Sequence, residues 1–386
     1  MIIITKVMMK MTTQTTRPDL SQSQRIVIKT GSALVTDVEN SQPRTAWMAT
    51  LAADIAALRK TGKSVILVSS GAVSLGRNIL NLKGRPLELD EKQAAAACGQ
   101  VALMDAWRTP FAAHGLHVAQ LLLTLDTSEH RNRYLNARST LETLLSLGVI
   151  PIINENDTVA TAELKFGDND RLAARVAEMA GADTLVILSD IKGLYTADPS
   201  KNPNATLIPL VSDITPDIER MAGKPTSSVG SGGMITKIQA AKIAHGAGCS
   251  TVIAAGRGEH PIRHLLEQNE GTWFTASTSP SNARRRWIAG GLRAAGSIVV
   301  DAGAEKALQD GKSLLAAGVT TVEGDFGRGE AVHIRSAQGK LLGKGLIAYT
   351  SAETRLIQGR KSDAFESLIG YKGKNALIHR DDLVLE

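Results

Sequence analysis

The chain has 386 residues, 43% of them hydrophobic, with a formal net charge of +6, which is enough material for two separately cored domains. Two cysteines, Cys98 and Cys249, in small apolar contexts offer neither a disulfide framework nor a thiolate metal site, the usage expected of a cytoplasmic protein. No apolar stretch approaches the ~18 residues of a membrane span. The positive charge is not a nucleic-acid footprint either, because the segment from Ala295 to Glu386 carries 12 basic and 12 acidic residues and RNA phosphates demand a basic surface.

In chain order, residues 1–24 read as a disordered extension, apolar from Met1 to Thr5 and then polar, with Met8, Met9 or Met11 as an alternative start. Short apolar runs then predict strands at Arg25 to Lys29, Ser64 to Ser69, Leu116 to Leu123, Val149 to Ile153, Thr184 to Ser189 and Ser250 to Ala254. Helical patterns fill the gaps: Thr45 to Thr61, stopped by Gly62; Asp90 to His114, expected to bend near Pro110; Leu135 to Leu147, stopped by Gly148; and Met234 to His245. This alternation predicts an α/β domain over 25–274, an open and mostly parallel sheet with helices on both faces. Residues 275–295, rich in Ser, Pro, Arg and Gly, read as a linker, and the cluster Arg284-Arg285-Arg286 as a solvated face or a subunit contact. From Gly296 onward, β-like runs at Ser297 to Val300, Val319 to Glu323, Ala331 to Ser336 and Gly345 to Tyr349, separated by glycine turns, predict a small, mostly β, barrel-like domain over 296–386.

Chemistry concentrates in short motifs that follow the predicted strands. They are Val27-Ile28-Lys29-Thr30-Gly31-Ser32, Val68-Ser69-Ser70-Gly71-Ala72, Asn154-Glu155-Asn156-Asp157, Gly167-Asp168-Asn169-Asp170 and Leu188-Ser189-Asp190-Ile191-Lys192-Gly193-Leu194-Tyr195. Loops at the carboxyl ends of parallel strands line one crevice, so distant motifs can converge. Ahead of an alanine-rich helix, Gly230-Ser231-Gly232-Gly233-Met234-Ile235-Thr236-Lys237 combines glycines with a lysine, the requirements of a phosphate grip: close backbone N–H groups, a helix N-terminus and a full positive charge. Neither Gly-x-x-x-x-Gly-Lys-Ser/Thr nor Gly-x-Gly-x-x-Gly occurs, which excludes P-loop and Rossmann assignments. Singly, Lys29 reads as a strand-end lysine, Asp170 as a helix-start charge and Asp157 as a turn former; it is the ordered set that singles them out. His260 and His264 have the spacing of a metal pair, but Pro261 and the absence of an accompanying carboxylate motif leave them structural.

The motif order and the appended domain resemble the glutamate 5-kinases, a branch of the amino-acid kinase family that carries a C-terminal PUA domain. The most specific pieces are Asn154 to Asp157 with Thr161-Ala162-Glu163, Gly167 to Asp170, and Lys192-Gly193-Leu194-Tyr195-Thr196-Ala197-Asp198-Pro199. The resemblance implies ATP- and Mg2+-dependent phosphorylation of the side-chain carboxylate of L-glutamate, the first step of proline biosynthesis, with proline as feedback inhibitor and a homo-oligomeric enzyme. It also implies roles by position. Lys29 and Lys237 contact the transferring phosphate from either side and Asp170 organises them. Ser70, Gly71, Asp157 and Asn169 hold glutamate. Ser189, Asp190 and the loop Ser231, Gly232, Gly233, Met234, Ile235, Thr236 and Lys237 hold ATP, as does Lys29. No metal ligand is assigned. Rival readings within the fold are an N-acetylglutamate or UMP kinase, and outside it an RNA-binding PUA protein.

The chemistry needs nothing further. A carboxylate nucleophile, with a pKa of about 4.3, is already anionic at neutral pH, so no general base is required. The obstacle is repulsion from the triphosphate, which cations and N–H donors must offset.

Overall fold

The computed structural model describes residues 17–37, 41–82, 84–124, 131–159, 169–223 and 233–386. The chain divides into two compact units, one of Met1–Ser128 with Arg138–Ser279 and one of Glu129–Ala137 with Pro280–Glu386.

The first unit is built on eight strands: β1 (Arg25–Thr30), β2 (Ser64–Ser69), β3 (Val118–Leu123), β4 (Ile150–Glu155), β5 (Thr184–Ser189), β6 (Leu210–Val211), β7 (Ser250–Ala255) and β8 (Thr272–Phe274). They form one sheet in the order β3-β4-β2-β1-β5-β7-β8-β6. Every pairing is parallel except β7 with β8. Every residue of β4 and β5 is buried, so both faces of the sheet centre are covered, which is why these strands read as unbroken apolar runs rather than alternating ones. The helices are α1 (Ser32–Val35), α2 (Thr45–Lys60), α3 (Ala72–Ile79), α4 (Leu89–Ala112), α5 (Arg131–Ser146, of which this unit takes the part from Arg138 on), α6 (Asn169–Ala180), α7 (Pro216–Met221), α8 (Met234–Gly246) and α9 (Pro261–Gln268). Their inner faces join the strands in a core that includes Ile26, Ile28, Leu51, Ile55, Leu67, Leu103, Trp107, Val186 and Val252. β1 pairs with β2 on one side and β5 on the other, so chain order reverses at β1. In an open parallel sheet, such a switch point is where the ligand crevice opens.

The second unit carries β9 (Gly296–Val300), β10 (Leu314–Leu315), β11 (Val319–Gly324), β12 (Ala331–Ser336), β13 (Leu341–Leu346), β14 (Ala376–Ile378) and β15 (Leu383–Leu385). Five of them make a sheet in the order β11-β9-β12-β13-β15, and β10 pairs with β14. The core of this unit gathers Ile298, Val300, Ile334, Tyr349, Phe365 and Leu377.

Three local expectations change. Residues 17–24 are not a loose extension: Leu20 is buried in the core, Arg17 donates to the Gly271 carbonyl, and Lys63 Nζ donates to the Ser21 and Ser23 carbonyls. The expected linker holds a helix, Pro280–Gly291, whose Ile288 packs on Ala331 and Leu346 and whose Arg284 pairs with Asp382 at 2.6 Å; one buried apolar residue among arginines and glycines leaves no periodic signal. The strand placed at Gly345 to Tyr349 is Leu341–Leu346. Its apolar run is masked by Gly343 and Gly345, where a Cβ would lie 2.1 Å from the Val384 carbonyl oxygen and 2.6 Å from the Ile378 side chain. Pro110, where a bend is expected, sits inside a continuous helix that ends two residues past it.

Candidate active site

The carboxyl ends of β1, β2, β4, β5 and β7 lie along one edge of the sheet, because all five are parallel. Lys29 is the penultimate residue of β1, and its side chain crosses to the first turn of α6, where Nζ lies 2.6 Å from Asp170 Oδ1. From the first turn of α8, Lys237 Nζ reaches Asp170 Oδ2 at 3.1 Å, and Thr236 Oγ1 donates to the same oxygen at 3.0 Å. Three charges from motifs far apart in the sequence thus share one contact: Asp170 has no exposed surface, and Lys29 and Lys237 are 5% and 6% exposed. Burial alone would raise the Asp170 pKa, but the two ammonium groups outweigh it and hold the carboxyl well below the usual carboxylate range. Asp170 therefore stays ionised at neutral pH, bracketed by the two lysines.

A substrate that brings phosphate oxygens to this place meets further donors. α8 follows the N-cap Gly233, whose backbone is extended and which has no side chain to cap the helix, so its first N–H groups suit an anion. At the end of β1, a Cβ added to Gly31 would lie 3.7 Å from Lys29 Nζ, placing the lysine ammonium over the turn backbone. Ser189, at the end of β5, is buried and donates to Asp190 Oδ1 at 3.0 Å, whereas Asp190 is exposed. Met234, Ile235 and Thr236 form the first turn of α8; Ser231 and Gly232, with Thr161 to Glu163, Gly167 and Asp168, lie outside the described residues.

Beside the charged cluster is a polar corner. Gly71 caps α3 with φ +120°, a conformation open to glycine and strained for other residues. The preceding residue, Ser70, accepts from Asn169 Nδ2 at 2.6 Å. Asn169 Nδ2 also donates to Asn154 Oδ1 at 3.1 Å, and Asn154 Nδ2 donates to Gln100 Oε1 at 3.0 Å. Asp157, two residues beyond β4, is half-buried. The sequence motifs thus meet in two adjoining groups, Lys29 with Asp170, Thr236 and Lys237, and Ser70 with Asn154 and Asn169.

Gln100 and Trp107 belong to no motif, yet α4 brings both to this corner: Trp107 Nε1 donates to Ser69 Oγ at 2.9 Å. The two helices that meet there touch backbone to backbone. A Cβ on Gly99 would sit 1.8 Å from the Ala72 carbonyl oxygen, and one on Gly76 1.7 Å from that of Ala95. The available signal was Gln100 itself, a polar residue inside an otherwise small and apolar run from Ala94 to Met104.

His260 Nδ1 lies 2.8 Å from Asp54 Oδ1, while Asp54 Oδ2 accepts from the Ile262 and Arg263 backbone N–H groups. This pair caps α9. Among the described residues, no three His, Cys, Asp or Glu side chains come together as a metal site, and no helix is long and apolar enough to cross a membrane.

Both units match known families. Residues 24–255 match the amino acid kinase family and residues 296–369 the PUA domain, and the chain belongs to the amino acid kinase family. It is 54% identical over 367 residues to a curated protein of Paramagnetospirillum magneticum named glutamate 5-kinase, covering 95% of this chain and 99% of that one. Proteins of the same name from Rhodospirillum rubrum and Gluconobacter oxydans are 56% identical over 360 residues and 54% identical over 376, covering 93% and 97% of this chain and 96% and 100% of theirs.

Proposed function

We propose that the chain transfers the terminal phosphoryl group of ATP to the side-chain carboxylate of L-glutamate, giving L-glutamyl 5-phosphate for proline biosynthesis. The observation that carries this reading is the buried Lys29–Asp170–Lys237 cluster at the switch point, and the near-full-length relatives named glutamate 5-kinase support it.

The residues fit the reaction's electrostatics. Two unit charges of like sign 4 Å apart repel by roughly 4 kcal/mol at an effective dielectric of about 20, the barrier that faces a carboxylate approaching a triphosphate. Lys29, from the strand end, and Lys237, from the N-terminus of α8, are placed to offset it from two directions. Asp170 holds both ammonium groups where the charge develops, so little reorganisation is needed during transfer. The Ser70–Gly71 turn with Asn169 and Asp157 would bind the amino acid, and Ser189, Asp190 and Gly233 to Lys237 the nucleotide. ATP use follows from the kinase family. Mg2+ would be carried largely by the phosphates and water. The same resemblance extends the proposal to L-proline as a feedback ligand, a homo-oligomeric state and a cytoplasmic location, while the balanced charge of 295–386 weighs against RNA.

Hydroxylamine trapping tests the reading: with ATP and Mg2+, the purified chain should give hydroxamate with L-glutamate and not with N-acetylglutamate, and should release no ADP with UMP. Turnover restricted to either competitor would replace the assignment within the same fold.

A further inference from the structure

The amide groups of the polar corner have a fixed direction. Asn154 Oδ1 accepts from the Glu155 backbone N–H at 2.9 Å, and a backbone N–H can only donate. This identifies the oxygen end of Asn154 without appeal to any choice of amide flip. Its Nδ2 must then face Gln100, which presents Oε1 at 3.0 Å, and its Oδ1 must receive Asn169 Nδ2 at 3.1 Å. Asn169 Nδ2 is also engaged with Ser70 Oγ. Asn169 Oδ1 is thereby left as an acceptor, and it is buried with no hydrogen-bond partner among the described residues. A buried, oriented carbonyl oxygen beside the Ser70–Gly71 turn is costly unless a ligand donates to it.

On the glutamate-kinase reading, we infer that Gln100 is a positioning residue for the amino-acid substrate: by fixing the Gln100–Asn154–Asn169 amide chain, it presents Asn169 Oδ1 to the substrate's α-ammonium group. An ammonium has donors and no acceptor, so it complements a lone carbonyl oxygen. A substrate with an acylated amine keeps one N–H and adds bulk and an acceptor, so the arrangement selects a free amino acid. Gln100 touches no reacting atom. It is 8% exposed, and among the described residues its side chain bonds to Asn154. α4 can hold it there because Gly99, its neighbour, lets α3 approach to backbone contact.

The test uses the full chain with Gln100→Met, which keeps the length and removes the acceptor, and Gln100→Asn, which keeps the amide and falls one methylene short. Both should raise the glutamate KM about tenfold, the change expected for one misdirected hydrogen bond, while kcat and the ATP KM stay within about twofold. Inhibition by glutarate, which has the side-chain carboxylate but no ammonium, should be unchanged. An unchanged glutamate KM in either folded variant overturns the inference, and so does equal weakening of glutamate and glutarate, or of glutamate and ATP, the signature of general disruption. Absence of glutamate turnover in the wild-type chain would instead remove the functional reading on which it rests.

Discussion

Replacing Asp170 with Asn keeps the shape of the side chain and removes the one negative charge between two buried ammonium groups. At 2.6 and 3.1 Å from Lys29 and Lys237, the carboxylate gains roughly 5–6 kcal/mol of gross attraction from each at an effective dielectric of about 20, before desolvation is subtracted. Removing one partner from such a buried arrangement leaves a net loss of about 3–5 kcal/mol, a large share of the ~5–15 kcal/mol that holds a domain together. Trp47, Trp107 and Trp273 all lie in the first unit, so tryptophan fluorescence in a urea titration follows mainly that unit. The Asn variant should unfold with a stability lower by about 3–5 kcal/mol. ATP should reverse part of the deficit, because phosphate oxygens supply the negative charge that the variant lacks, so the variant should gain more from nucleotide than the wild type does. Its kcat should also fall at least a hundredfold, about 3 kcal/mol, since neither lysine is held in place. A stability loss below about 1 kcal/mol, or equal stabilisation of both proteins by ATP, would refute the charge bridge as the organiser of the site.

Other perturbations read different parts of the account. Lys29→Met and Lys237→Met should each lower kcat about a hundredfold or more in single-turnover assays, and near-normal turnover in either would exclude it from charge stabilisation. Gly99→Ala should destabilise the first unit by about 1–3 kcal/mol and raise the glutamate KM, since a Cβ 1.8 Å from the Ala72 carbonyl oxygen must push α3 and its Gly71 cap away; unchanged unfolding would show that the helices separate freely. The folded pKa of Asp170 is depressed, so its stabilising contribution is complete above the unfolded value of about 3.9 and is lost only as pH falls far below it. With no general base, kcat/KM for glutamate should therefore be flat from about pH 6 to 8, and a basic-residue limb near pH 7 would contradict this. In the second unit, Glu353, lowered to about 2 with burial opposing and Arg328 and Thr350 favouring its charge, closes a capping box. Glu353→Gln should cost that unit about 1 kcal/mol at neutral pH, measured by thermal unfolding, and the difference should vanish as pH falls toward 2.

The legible parts of the chain were those whose physics is local. Strands β1, β2, β4, β5 and β7 stand out as buried apolar runs, and the turns after them carry the motifs that meet at Asp170. β6 and β8, two and three residues long, are too short to show a period, and their pairing is set by neighbours. The helix at Pro280–Gly291 was hidden by composition, since what anchors it is the single buried side chain of Ile288 and the Arg284–Asp382 pair. At the site, Lys29, Asp170 and Lys237 were readable through the ordered set of motifs and its resemblance to the glutamate 5-kinases, since each alone reads as an ordinary strand-end or helix-start charge. Gln100 and Trp107 were not, because their importance comes from the face of α4 that packs on Ser69 and Asn154, a property of tertiary packing that helical periodicity does not encode. Ser231 and Gly232, read as part of the phosphate grip, fall outside the described residues.

Isotope transfer tests the central claim most directly. With L-glutamate carrying 18O in its side-chain carboxylate, ATP, Mg2+ and hydroxylamine, attack of the carboxylate on the terminal phosphorus places one labelled oxygen in the phosphate that leaves when the acyl phosphate is trapped. The account predicts inorganic phosphate bearing one 18O for each hydroxamate formed, read by 31P NMR. Unlabelled phosphate, released by water, would mean that the two lysines serve ATP hydrolysis and not transfer to a carboxylate.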